Sequence, residues 1–277
     1  MSELRAHELS VRLGGNTIVE NISLGVRPGE FLAVVGPSGA GKSTLLGALS
    51  GELREESGQV KLDDRALHRW RLDALARRRA LLPQSPALTF PFPVIDVVLM
   101  GRQPLNEGRV SRVDEVIARD CLRLVGIEHL AERAYTTLSG GERQRVHFAR
   151  VLAQVGPERD DARYLLLDEP TSQLDVAHAF SALRVAREFC ELGVGVICVL
   201  HDLNLAARFA DTIALMARGQ LQAIGAPHHV LTTDLLATHF GVDADIVDHP
   251  RTGALQVVVL GDRLSFDDHT ATEATPC

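Results

Sequence analysis

An unbroken apolar run at 31–35 ends directly on Gly36-Pro37-Ser38-Gly39-Ala40-Gly41-Lys42-Ser43-Thr44, and a helical pattern follows over 42–49. A strand apolar on both faces, a glycine-rich turn and a helix start together predict one unit of an alternating α/β sheet. The turn matches the GxxxxGK[ST] phosphate loop in the strand-to-helix context the motif requires. Its glycines let successive amide N–H groups face one centre, the helix N-terminus adds positive potential, and Lys42 supplies a mobile cation for outer phosphates. Nucleotide binding by Gly36, Pro37, Ser38, Gly39, Ala40, Gly41, Lys42, Ser43 and Thr44 is the expectation, with Ser43 as a Mg²⁺ ligand.

The rest of the chain extends this unit. Short apolar runs at 164–167 and 194–200 read as further buried parallel strands, with helical patterns at 113–125, 141–154 and 176–192. Before the loop, two strand-like segments within 6–26 flank Gly14-Gly15-Asn16 and predict a hairpin opening an antiparallel subsheet. The segment 85–137 lacks a buried strand and reads as a helical insertion, opened by Pro86, Pro91 and Pro93, within a subdomain at about 85–155. After His201, apolar residues at helical spacing predict a helix, then strands at 212–216 and 220–224 pair around Arg218-Gly219, where the core is expected to close. A helix at 231–240 and a strand at 255–260 follow. The division predicted is a nucleotide-binding domain over 1–240 and a short extension over 241–277 with a polar, frayed end.

Composition narrows the function. The chain has 277 residues, and 29 Lys plus Arg against 36 Asp plus Glu give a net charge of −7, the wrong sign for a protein held by nucleic-acid phosphates. Its longest apolar runs fall far short of the ~20 residues that span a bilayer. The first ten residues carry Glu3, Arg5, His7 and Glu8 instead of a secretory signal pattern, so cytoplasmic residence is expected. Cys121, Cys190, Cys198 and Cys277 are scattered without metal-ligand spacing and read as reduced thiols. His228 and His229 read as solvated loop residues whose side chains point apart.

A second set of chemical groups lies at the other strand ends. Tyr164-Leu165-Leu166-Leu167-Asp168-Glu169 is an apolar strand delivering two carboxylates, and adjacent strand residues point oppositely. Asp168 is expected to hold Mg²⁺ and Glu169 to accept a proton from an attacking water. His201, ending the next strand, can donate to a γ-phosphate.

Leu138-Ser139-Gly140-Gly141-Glu142-Arg143-Gln144-Arg145 resembles the signature sequence of ATP-binding cassette (ABC) ATPases. Ser139 and the glycine amides open a helix and form an anion-binding end. The resemblance implies that this end closes on ATP held by another copy, so two nucleotides are sandwiched in a head-to-tail dimer. It also implies that Gln84 touches Mg²⁺ and the attacking water, that Ser172-Gln173-Leu174-Asp175 is a dimer-contact loop, and that His201 is a switch histidine. The cofactor-binding set thus includes Ser139, Gly140, Gly141, Glu142 and Asp175. The catalytic set is Glu169, His201 and Gln84, and the metal set is Ser43, Gln84 and Asp168. Two departures stand out. Leu13 replaces the family's adenine-stacking aromatic, leaving apolar contact or Arg12 to hold the base, and Gln173 replaces the usual alanine.

The stretch Phe90-Pro91-Phe92-Pro93-Val94 through Met100-Gly101-Arg102, with His201-Asp202-Leu203-Asn204-Leu205-Ala206-Ala207-Arg208-Phe209-Ala210-Asp211, resembles importer ATPases for iron siderophores, haem and cobalamin. The polar insertion at 156–163, the strand at 9–13 and the 248–253 segment resemble the haem branch. This implies an α/β phosphate-loop ATPase core with a mainly parallel sheet, an N-terminal antiparallel β subdomain and a helical insertion subdomain. It implies ATP and Mg²⁺ as cofactors. It further implies a second copy, integral-membrane permease subunits and a periplasmic binding protein as partners, without nucleic acid, at the cytoplasmic face of the inner membrane. The alternatives are siderophore or cobalamin import, or a soluble cassette such as an iron–sulfur assembly factor. A chromosome-organising cassette is disfavoured because the stretch between Lys42 and Ser139 is read as holding neither heptads nor a basic stripe.

Overall fold

A computed structural model describes residues 2–84, 88–106, 109–156 and 161–262. Pro86, Cys277, the 157–160 part of the polar insertion and the polar end of the extension lie outside these. The chain opens with the expected hairpin: β1 (Leu4–Leu13) and β2 (Asn16–Val26) pair antiparallel around Gly14 and Gly15, both at positive φ as a tight hairpin turn demands. Then come β3 (Phe31–Val35), α1 (Lys42–Ser50), β4 (Ser57–Leu62), β5 (Arg65–Ala66), α2 (Leu72–Ala76) and β6 (Arg79–Leu82). The insertion contributes α3 (Val94–Leu99), α4 (Gln103–Asn106), α5 (Arg112–Leu124) and α6 (Gly140–Val155), and the described residues of 85–137 hold no strand. The chain continues through β7 (Arg163–Asp168), α7 (Val176–Glu191), β8 (Val194–Val199), α8 (Leu203–Phe209), β9 (Thr212–Ala217) and β10 (Gln220–Gly225). It ends with α9 (Pro227–Val230), α10 (Thr233–Phe240), β11 (Val242–Asp248) and β12 (Leu255–Asp262).

The main sheet has the order β10-β9-β3-β8-β7-β6, parallel apart from the β9–β10 hairpin. The four-stranded sheet β2-β1-β4-β5 is antiparallel. Strand periodicity splits the core in two. Leu32, Val34, Leu166, Ile197 and Val199 face the antiparallel sheet and α1, while Ala33, Val35, Leu165, Leu167, Val196 and Cys198 face the helical side. Each central strand is therefore buried at every position, with charged residues only at the two ends of β7, Arg163 and Asp168. Because β3, β7 and β8 run parallel, their C-terminal ends bring Gly36, Asp168, Glu169 and His201 to one edge, the usual ligand edge of such sheets.

Several elements differ from the sequence expectation. Strands β4, β6 and β11 and helices α2 and α3 were not predicted. The core does not close near residue 225, since Ala244 and Val257 of the β11–β12 hairpin join the main hydrophobic cluster. Asn204 ties that hairpin to α8 with a paired bond: its Nδ2 donates to Val257 O at 3.2 Å, and Val257 N donates to its Oδ1 at 2.7 Å. His228 and His229 lie in a one-turn helix, where their rings meet with centroids 3.9 Å apart instead of pointing away.

Candidate active site

The phosphate loop follows β3 as predicted, and steric limits explain its glycines. Gly36 has φ 152°, and a Cβ there would fall 2.0 Å from Met216 O; Gly41 has φ 93°, and its Cβ would meet Ile18 O at 2.8 Å. Lys42 is nearly buried, and its Nζ donates to Gly36 O at 2.8 Å and Pro37 O at 2.9 Å. Burial lowers its pKa, opposed by the charges of Glu169 and Asp168. The loop forms one wall of a cleft of about 410 Å³ lined by Ile18, Ser38 to Thr44, Gln84, Glu169 and His201.

At the end of β7 the two carboxylates part as strand geometry requires. Asp168 is buried and accepts a bond from Ser43 Oγ at 3.1 Å. Burial raises its pKa, and the neighbouring Glu169 adds to this, while the Ser43 bond and Lys42 oppose it. Glu169 adopts φ 49°, the left-handed region that a non-glycine residue enters only at a cost of about 1 kcal/mol or more. Its side chain is clamped: Gln84 Nε2 donates to Oε2 at 2.8 Å, and His201 Nε2 bonds Oε1. An ionised carboxylate only accepts, so the bonding His201 nitrogen carries the proton.

The structure thus brings together the phosphate loop, Gln84, Asp168, Glu169 and His201. It keeps Ser139, Gly140, Gly141, Glu142 and Asp175 out of that cleft. Ser139 caps α6 in a reciprocal box, in which Glu142 Oε2 accepts from Ser139 N at 2.7 Å and from Ser139 Oγ at 2.8 Å. Glu142 sits on the positive end of the helix, and the bonds from Ser139 N and Oγ lower its pKa against a small opposing effect of burial. Asp175 caps α7 through His178 N at 2.9 Å and pairs with the His178 ring. Gln173 leans on the signature turn: a Cβ at Gly140 would stand 3.0 Å from its Oε1, and one at Gly141 would stand 3.0 Å from its carbonyl oxygen.

Two features escaped the sequence reading. Ile18 is at the cleft rim, which only the hairpin's folding back over the loop reveals. Tyr135 joins the loop before α3 to the signature helix, its N–H donating to Phe92 O at 2.8 Å and its hydroxyl bonding His147 Nε2 at 2.9 Å. Burial pushes the His147 pKa down to about 4, so at neutral pH it is an uncharged partner. The departure at position 13 also resolves. Arg12 commits its guanidinium to Glu56 at 3.0 Å and to Gly15 O at 2.8 Å, whereas Leu13 is exposed and free for apolar contact.

Against known proteins, the ABC transporter family model matches residues 19–172. The Hemin import ATP-binding protein HmuV of Gloeobacter violaceus is 50% identical over 259 residues, covering 93% of this chain and 94% of its own length. Among solved structures, an inward-facing ABC transporter described as metal-chelate type superposes with a TM-score of 0.77 at 26% identity, covering 94% of this chain and 97% of that one. A dimeric bacterial ABC transporter cassette superposes with a TM-score of 0.71 at 26% identity, covering 81% and 98%.

Proposed function

The chain belongs to the ABC transporter family and hydrolyses ATP to drive transport, and we propose that the cargo it moves inward is haemin. The cargo is carried over from the half-identical hemin-import relative, whose match runs nearly end to end. The chemistry rests on one observation above the others: the Glu169 carboxylate, held from both sides, lines the cleft of the phosphate loop.

In this reading the ATP phosphates sit among the amides of 36–44 with Lys42 beside them. Glu169 takes the proton of the attacking water, Gln84 and His201 fix the direction of its oxygens, and His201 also donates toward the γ-phosphate. Mg²⁺, when bound, neutralises charge on the phosphate oxygens. Ser43, Asp168 and Gln84 would hold it. They fit as hard oxygen donors, and Ser43 and Asp168 are already within 3.1 Å of each other. A cation there would also offset the burial that raises the Asp168 pKa.

The signature residues Ser139, Gly140, Gly141 and Glu142, with Asp175, serve the ATP of a second copy. An apolar groove of about 320 Å³ containing Leu174, Ala179, Phe180 and Leu205 shares Glu169 and His201 with the site, and Val176 on its rim is 87% exposed. A two-fold partner would cover it. Phe90 and Phe92 are also exposed, at 65% and 39%, which favours docking a permease helix over packing beneath the insertion. Among the described residues no helix is long and apolar enough to cross a membrane. Attachment at the cytoplasmic face of the inner membrane then falls to the permease, which receives cargo from a periplasmic binding protein.

Reconstitution with candidate permeases and binding proteins tests the cargo. Haemin should raise ATP turnover several-fold, with ferric siderophore and cobalamin inert. Stimulation by either of those and not by haemin overturns the assignment.

A further inference from the structure

Contrary to the sequence expectation for the stretch between Lys42 and Ser139, a strongly basic strip lies there, away from the nucleotide cleft. Six arginines and a single aspartate occupy 65–79, within a chain of net charge −7. Leu67 and Leu75 are buried and pin this segment to the core beside Gly51, so the residues between them face outward. Arg65, Arg69 and Arg71 are exposed, and Leu72, which opens α2, is 81% exposed. Trp70 lies half-buried among them, with the Arg65 guanidinium 5.1 Å from its ring centroid. The Arg65 guanidinium also donates to the Arg69 carbonyl, and among the described residues the Arg69 guanidinium itself has no hydrogen-bond or ion-pair partner. The acids nearby are already taken: Asp73 pairs with Arg71, Asp63 with Arg78, and Glu55 with His68.

The strip does not end at α2. Arg77 Nε donates to Pro104 O of α4 at 2.7 Å, and just beyond α4 the chain again exposes alternating cations and apolar groups, Arg109, Val110, Arg112 and Val113. Exposed guanidinium groups interleaved with an indole and exposed aliphatic side chains are what an anionic lipid–water interface binds. The cations meet headgroup phosphates while Trp and Leu reach the acyl boundary. We propose that this strip, Arg65, Arg69, Trp70, Arg71 and Leu72, rests on the anionic phospholipid surface around the permease. The proposal builds on the membrane-bound importer reading. It gives the chain a second, lipid-mediated attachment that sets its orientation while the Phe90–Phe92 loop couples.

Flotation of the purified full chain with vesicles tests this. Binding should occur on phosphatidylglycerol vesicles and not on phosphatidylcholine vesicles, and should fall as salt screens the charges. Each basic group near an anionic surface contributes about fivefold, so R69E/R71E should weaken binding by more than about tenfold. Leu72→Asp should weaken it as well, with less dependence on salt. Both changes are at exposed positions outside the ATP site, and basal ATPase activity should stay unchanged. Equal wild-type binding to the two vesicle types, or wild-type binding by R69E/R71E, overturns the proposal. So does absence of lipid binding by a chain whose R69E/R71E variant fails to assemble with the permease, which would make the strip a protein-docking surface. A wrong cargo would change which compound stimulates turnover and leave flotation untouched, so the two readings fail separately.

Discussion

Nε2 of His201 bonds Oε1 of Glu169, so the end of β8 holds the carboxylate that β7 delivers. Gln84 takes the other oxygen, and the left-handed backbone at Glu169 is held in place by these neighbours. His201→Ala removes the bond that orients Glu169, and the proposed phosphate donor with it, without touching the phosphate loop. Steady-state kinetics should show kcat down by about 10²-fold and KM for ATP little changed. A raised KM at unchanged kcat would instead mark His201 as a nucleotide-binding group.

The carboxylate of Glu142 occupies the helix end that, in the proposed two-fold pair, the γ-phosphate of the second copy's ATP would approach. Glu142→Gln keeps a capping side chain and removes the negative charge. Thermal stability should drop slightly, by about 0.5 kcal/mol, and ATP-driven dimerisation should need less nucleotide. Light scattering across an ATP titration reads both the midpoint and its direction.

Base recognition should be loose, because Leu13 offers an aliphatic surface and Arg12 is engaged with Glu56. Competition assays should find GTP within about tenfold of ATP in kcat/KM. Leu13→Tyr should lower KM for ATP about three- to tenfold, the value of a stacked ring.

Asp114 anchors the start of α5. Its side chain is 5% exposed, and it accepts from Arg102 Nε at 2.8 Å and from Ser111 N at 2.9 Å. Burial alone would raise its pKa, but bonds from Arg102, Ser111 and Asn106 outweigh this and hold it well below the ordinary carboxylate value. A depressed folded pKa stabilises fully above the unfolded value of roughly 4 and is lost as pH falls below it. Asp114→Asn should cost about 3 kcal/mol at neutral pH, because Arg102 is left buried without its counter-ion. Melting temperatures measured from pH 7 down to about 3 should draw closer for the two proteins without meeting, because the loss completes only as pH falls through the depressed folded value.

The elements legible in the sequence are those where local pattern and burial agree. β3, β8 and the middle of β7 are continuously apolar because both faces are covered, and the phosphate loop carries its own steric reason. The strands missed are those whose burial comes from partners. β6 is four residues that begin on the last of three consecutive arginines and is a strand because β7 pairs with it, and β11 intersperses aspartates among its apolar residues. α3 is six mostly β-branched residues held helical by packing on α6 instead of by propensity. Within the site, single residues could be named from their motifs, but the bonds joining Gln84, Glu169 and His201 depend on which strands lie adjacent, and no local pattern carries that.

ATP turnover and assembly of Glu169→Gln, measured together, test the central claim most directly. Hydrolysis should fall by at least about 10²-fold, while ATP still binds and a nucleotide-sandwiched dimer accumulates on size-exclusion chromatography. Turnover at the wild-type rate by a variant that still dimerises would contradict the account.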